Sequence, residues 1–378
     1  MVLALLILTR YSVVQVFGGW ENIMAKLTKL LLSGLVVSVF SVRLCAGTGL
    51  EQLQSAAPQW QPVAPEPVLK NAGSGGPAAA ARPGSFAAAA DKAYRHYPNY
   101  ITLQTIPSPH PMDWSTISSL SASFVRNQWL VKTAKQTNAI GHVTFEVGCT
   151  LPDGSRSLVM SGQVPVKMSK FMAQVKEGAG FGALFGHVPG RLQTRAEVET
   201  KLDMLSNIQG EAALVTLKVS GESCLEAQRY VKAYQDEGVA TRYGLGVRPL
   251  YKEGGGCANV GVSVVEVGGP ANFSGLSSPW SRTFYIPDAL LGNVQNPVGV
   301  TDIAHYWKYD WSKKPASAHR KLFFYDPDLI YNWVQTAYDS KTAENRTVER
   351  YLINKSRGVT LDYTMDSRPS VWWRTDAE

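Results

Sequence analysis

The strictest constraint in this sequence is an alternation. Val143, Phe145, Val147 and Cys149 interleave with His142, Thr144, Glu146 and Gly148, the period-2 pattern of a strand with one buried face. Asp153-Gly154 follows, a strong signal for a two-residue hairpin turn. A turn at that dipeptide puts Leu158, Met160 and Val164 on the face of Val143, Phe145 and Val147, whereas a three-residue turn would put Ser161 and Gln163 there. The apolar pattern selects the first register. His142, Thr144, Ser161 and Gln163 are then expected to share the opposite, polar face.

Beyond the hairpin, strands and helices are mixed rather than regularly alternating, which predicts an α+β fold. Ala213 to Val219 reads as a strand. Glu222 to Asp236 reads as a helix with Cys224, Ala227, Val231 and Tyr234 along one stripe, ended by Gly238. Pro327 to Asp339 reads as another. Ala258 to Val267 is ambiguous. Its valines alternate like a strand and lower helix propensity, yet Cys257, Val260, Gly261, Val264 and Gly268 would fall on one helical face. Periodicity alone leans to strand. Gly178 to Gly186 is a Gly-rich apolar loop without dinucleotide-type spacing, so it is expected to act as an ordinary loop or a flap.

The N-terminus reads as an export signal. From Met24 the chain carries Lys26 and Lys29, then the apolar run Leu30 to Phe40, then small residues at Ala46 and Gly47, in secretory-signal order. The run is short for a membrane span, which needs about 20 apolar residues. Translation is expected to start at Met24; the alternative is a long uncleaved anchor from Met1. Cys45 is not expected to carry lipid, because Arg43-Leu44 lacks the small residues such a signal needs. Residues 48–91 are rich in Ala, Pro and Gly and cannot bury enough surface to order themselves. The expected organisation is therefore a leader over 1–47, a disordered tether over 48–91, a folded domain over 92–291 and an aromatic-rich extension over 292–378 packed on the core. The expected location is periplasmic or secreted, with membrane contact only through an uncleaved leader.

The 378 residues carry a formal charge of +7, partly from the leader. No Lys/Arg cluster is interleaved with aromatics, which sets nucleic acid aside as a partner. No metal motif is present and no cofactor is implied. Of four cysteines, three remain after the leader, so one pair and one free thiol is the simplest account in an oxidising compartment. Cys149 and Cys224 hold structural positions. Cys257 follows three glycines at the start of a candidate helix, where open N–H groups and the dipole lower a thiol pKa. A nucleophilic thiol needs a base, and His142 is the histidine that opens a well-defined strand.

Gly141-His142 through Val147, the Ser223-Cys224-Leu225 helix, Tyr243-Gly244-Leu245, and Gly256-Cys257-Ala258-Asn259 together resemble the circularly permuted branch of the NlpC/P60 papain-like superfamily. In that branch a strand-borne catalytic His precedes a Cys at a helix N-terminus. The resemblance covers roughly residues 139–291. It implies a papain-like fold with Cys257 as nucleophile and His142 as base, and it favours helix over strand at Cys257. Such sites carry a third, polar residue that orients the imidazole. In the register above Gln163 is a diagonal neighbour of His142, and it takes that expected role. The implied activity is thiol-dependent acyl transfer on a cell-envelope substrate (a peptidoglycan peptide, lipid or lipoprotein). The alternatives are a non-catalytic envelope-binding or scaffold domain, or a secreted effector peptidase.

Overall fold

A computed structural model describes residues 84–132, 139–167, 173–208, 210–271, 275–293 and 295–375. The expected leader and nearly all of the tether lie outside the described residues.

In chain order the elements are α1 (Phe86–Ala93), β1 (Tyr100–Ile106), α2 (Ile117–Lys132), β2 (His142–Thr150), β3 (Arg156–Ser161), β4 (Gln163–Pro165), β5 (Val188–Leu192), α3 (Arg195–Leu205), β6 (Ala213–Lys218), α4 (Gly221–Asp236) and β7 (Arg242–Tyr243). There follow α5 (Cys257–Val267), β8 (Ser281–Pro287), α6 (Val300–His305), β9 (His319–Tyr325), α7 (Pro327–Ser340), β10 (Thr342–Ala343), β11 (Arg346–Thr347), β12 (Glu349–Ile353) and β13 (Ser356–Asp362). The fold is α+β. Its centre is a six-stranded sheet in the order β12-β13-β6-β1-β2-β3, antiparallel except where β13 runs parallel to β6.

Both faces of this sheet are covered. On one, Ile101, Leu103, Val143, Phe145, Val147, Val215 and Leu217 pack with residues of α4, α5 and α7 in the main core. On the other, Tyr100, Met160 and Leu214 pack with Phe86 and Ala90 of α1 and Val198 and Leu202 of α3. The strand that was expected to bury one face is therefore buried on two, from His142 through Cys149. Its polar side chains are accommodated because they satisfy one another. Glu146 accepts from the Tyr100 and Tyr94 hydroxyls at 2.6 and 3.1 Å and takes a two-pronged contact from Arg95, both at 2.8 Å. Thr144 donates to Gln104 at 2.8 Å.

The hairpin register differs from the expected one. Phe145 pairs with Ser161, Val147 with Val159 and Cys149 with Ser157, so Ser161 shares the face of Phe145, and Met160 that of Glu146. The turn is longer than two residues. The Leu151 N–H donates to the Ser155 carbonyl at 2.8 Å, the Gly154 N–H to the Leu151 carbonyl at 2.9 Å, and Asp153 Oδ1 accepts from the Ser155 N–H and hydroxyl. The Asp side chain thus braces a wider loop instead of opening a tight turn.

Two boundaries also move. Residues 86–91 were assigned to the tether but belong to α1, with Ser85 as N-cap and Phe86 and Ala90 buried. The region 292–378 is no appended extension: β13 lies inside the central sheet, and β9 pairs along its whole length with β8. The last described residues return to the core, where the Trp372 indole N–H donates to Glu226 at 2.6 Å and the Arg374 N–H to the Leu250 carbonyl at 2.8 Å.

The helix over Glu222 to Asp236 forms as α4, capped by the Ser220 side chain and followed by Gly238 in the left-handed region. Cys224 on α4 and Cys149 on β2 are joined by a disulfide with Cα atoms 5.7 Å apart. The loop of 75 residues that it closes corresponds to about 4 kcal/mol of chain entropy removed from the unfolded state. Among the described residues Cys257 is the free cysteine, and it is buried.

Candidate functional site

The ambiguous segment is a helix, and it is buried on nearly every side. Tertiary burial outweighs the weak strand preference of its valines. It lies tight on β2: a Cβ on Gly261 would stand 3.0 Å from Val143 Cγ1 and 3.3 Å from Leu103 Cδ2. The approach to the helix runs over Arg242, where a Cβ on Gly254, at φ +104°, would stand 2.3 Å from the Arg242 carbonyl oxygen. Glycine is the residue that fits such a backbone. Asn259, one turn into α5, ties the surrounding loops together. Its Nδ2 donates to the Leu245 and Val247 carbonyls at 2.9 and 3.1 Å, and its Oδ1 accepts from the Tyr325 N–H at 2.9 Å.

Cys257 is the first residue of α5, behind a Gly256 N-cap that offers no side-chain acceptor. Its sulfur is therefore left with the backbone donors of the helix start. The Ala258 and Val143 N–H groups, the Tyr243 hydroxyl and the Lys201 ammonium all act to lower the thiol pKa. Burial acts the other way and wins: Cys257 is 7% exposed and its thiol pKa is pushed up. The expectation of a thiol depressed by the helix start is thus reversed, because desolvation of the thiolate outweighs the donors around it. Burial and the neighbouring thiol likewise push the Tyr243 hydroxyl well up.

His142 opens β2, next to the residue whose N–H faces the thiol. The β2–β3 register ends at Phe145–Ser161, and the chain leaves β3 through Gly162 towards β4. Gln193, just after β5, fills the space that results. Its N–H donates to the Gly162 carbonyl at 2.8 Å, its carbonyl accepts from the Ser161 hydroxyl at 2.8 Å, and its Oε1 meets His142 Nε2 at 2.8 Å. With an acceptor on Nε2, that nitrogen carries the proton and Nδ1 keeps the lone pair. Burial pushes the imidazole pKa down to about 3, the Lys201 charge adds to the fall, and the Gln193 bond opposes it. Among the described residues no hydrogen bond joins the imidazole to the thiol, and burial holds the thiol and the imidazole each in its neutral form.

Gln163 does not take the place expected of it. Its Nε2 donates to the Ala240 carbonyl at 2.7 Å, and its Oε1 is buried without a partner. The one-residue change of register and the departure of the chain at Gly162 turn it towards β7, and Gln193 stands where Gln163 was placed. Gln193 directly precedes Thr194, which opens α3 with a reciprocal capping box to Glu197. That Thr-x-x-Glu signature is visible in sequence and marks a helix start, but nothing local links it to His142.

The Gly-rich loop is pinned. The Leu184 carbonyl accepts from the Gly246 N–H at 2.9 Å, and Gly180 bridges to Leu291. Phe181, Leu184, Phe185 and Leu245 pack beside an aromatic group built from Trp311, Phe284 and Phe324. Among the described residues no group of three His, Cys, Asp or Glu side chains is gathered for a metal, and no helix is long and apolar enough to cross a membrane. No family model, curated protein or solved structure matches this chain.

Proposed function

We propose that this protein is an exported thiol-dependent acyl-transfer enzyme with a papain-like site of the permuted NlpC/P60 kind, acting on a cell-envelope substrate. The observation that carries the reading is what gathers at one end of β2: a Cys sulfur at a helix start, met by the Val143 and Ala258 N–H groups and the Tyr243 hydroxyl, and, one residue before Val143, a His whose Nε2 is held by Gln193. In the reaction, the Cys257 proton passes to His142 Nδ1 as sulfur bonds to the acyl carbon. The bond to the leaving group breaks, His142 returns its proton to that group, and a thioester remains for attack by water or another acceptor. The N–H groups of Val143 and Ala258 and the Tyr243 hydroxyl are donors placed where negative charge develops on sulfur or oxygen. The Cys149–Cys224 disulfide fits an oxidising compartment. The aromatic group beside Leu184 and Leu245 suits a substrate with an apolar portion.

A non-catalytic scaffold is favoured by one specific observation: thiol and imidazole are buried and not bonded to each other. One experiment separates the two readings. Incubation with a p-nitrophenyl acyl ester should leave an acyl group on Cys257, found by mass spectrometry, absent in Cys257→Ala and formed at least ~10²-fold more slowly in His142→Ala. Equal acylation rates in wild type and folded His142→Ala would leave the scaffold reading standing.

A further inference from the structure

The chain's last described segment builds a second feature, outside the Cys257 site. It is fastened to the core by the Ser370 N–H on the Val267 carbonyl at 3.0 Å and the Arg374 N–H on the Leu250 carbonyl at 2.8 Å. Two adjacent indoles between these anchors, Trp372 and Trp373, come to rest against Tyr230 of α4, with ring centres 6.1 and 5.7 Å from it. Each indole N–H finds a carboxylate, from Glu226 within α4 or Glu237 just after it. Trp373 donates to Glu237 at 3.1 Å and Trp372 to Glu226 at 2.6 Å.

The first of these pairs is completed by a cation. Lys252 Nζ lies 4.7 Å from the centre of the Trp373 ring and 2.5 Å from Glu237 Oε2, so one ammonium is shared between an aromatic ring and a carboxylate. The second pair borders an open cavity of about 450 Å³, a size that suits a small ligand. Glu222, one turn before Glu226 on α4, adds a second carboxylate to the lining, Val371 adds apolar surface, and the lining holds no Lys or Arg. Arg229 meets Glu226 Oε2 at 2.8 Å. Glu222 is exposed, and among the described residues its carboxylate has no ion pair. Negative charge and indole surface are thus combined beside this cavity as they are around Lys252.

We infer that the cavity binds the primary ammonium of an unbranched alkyl chain, of the kind in which a lysine side chain ends. The nitrogen donates to Glu222 and the chain lies along Trp372. Such binding requires no reaction at Cys257.

Titration of the full chain with n-butylammonium, followed through the indole N–H cross-peaks of a nitrogen–proton NMR spectrum, reads the cavity directly. The Trp372 peak, assigned by its loss in Trp372→Leu, should shift to saturation. Butanol, of similar shape without the charge, should leave it in place. Tetramethylammonium, which cannot donate a hydrogen bond, should bind more weakly than butylammonium. The Kd for butylammonium should rise about two- to fivefold in Glu222→Gln, and by a similar factor in Trp372→Leu read at Trp373, the scale of one exposed ion pair or cation–π contact. Acetyl-lysine amide with a free side-chain amine distinguishes the source: tighter binding than butylammonium assigns a lysine-type side chain, and weaker binding a free amine. An equal shift with butanol, tetramethylammonium binding as tight as that of butylammonium, or an unchanged Kd in Glu222→Gln overturns the inference. The comparison of the three probes in wild type needs no variant, so it decides the matter even if Trp372→Leu fails to fold.

Discussion

Gln193 and Gln163 are two glutamines with opposite fates. Gln193 holds the imidazole, while Gln163 holds a carbonyl of the loop after α4. Gln193→Ala should lower the acylation rate roughly 10- to 100-fold, a part of the ~10²–10⁴ that a positioned acid–base group supplies. It should also flatten the pH–rate profile, since the ring loses its fixed tautomer. Gln163→Ala should instead cost on the order of 1–2 kcal/mol of stability through a lost buried hydrogen bond and leave the profile in place. Steady-state kinetics across pH, paired with urea unfolding, separates the two roles. At this scale the sequence was legible for residue types and not for their partners. Cys257 after three glycines and His142 at a strand start were both visible. Their polar companions were not: Gln193 and Lys201 arrive from segments distant in the chain, and Tyr243, though visible as part of a motif, carried no sign of its partner.

Among the elements, the strand over His142 to Thr150 was readable from its alternation, and α4 and α7 from their apolar stripes and caps. The hairpin register was not, because Asp153 braces a wider loop, and one residue of difference exchanges every cross-strand neighbour. Nor was α5 readable from periodicity: a helix buried on nearly all sides has no polar face to reveal its period. The contact between α5 and β2 is correspondingly intolerant. Gly261→Val would drive a branched side chain into Val143 and Leu103, which already stand near the glycine. Stability should fall by about 1–3 kcal/mol, as for overpacked cores, read as a lower urea midpoint. Gly84→Ala, at a site with nothing within 4 Å of an added Cβ though at φ +81°, serves as a comparison in which only backbone strain is added.

The whole molecule should register His142 when acidified. Its pKa is about 3 in the folded chain and about 6.5 in an unfolded one. Between those values the unfolded state binds a proton that the folded state does not. The stability due to this group is therefore fully present above about pH 6.5 and is lost as pH falls towards 3, by up to the order of 5 kcal/mol. Denaturant midpoints of wild type and His142→Gln should converge as pH drops through that window. If the midpoints run parallel from pH 7 to 4, the buried neutral imidazole is not what acid attacks.

The parallel pairing of β13 with β6 also sets a clock. The strand beside β6 is synthesised more than a hundred residues after it, and contacts between distant parts of a chain close slowly. Until the last strands arrive, β6 has a bare edge, and the helix that carries Cys257 has only part of its cover. During that interval Cys149, Cys224 and Cys257 offer three thiols for two sulfur positions, and the wrong bridge would consume Cys257. An oxidant acting before β13 has docked should therefore raise the share of molecules in which Cys257 is bridged, read by mass mapping of non-reduced peptides.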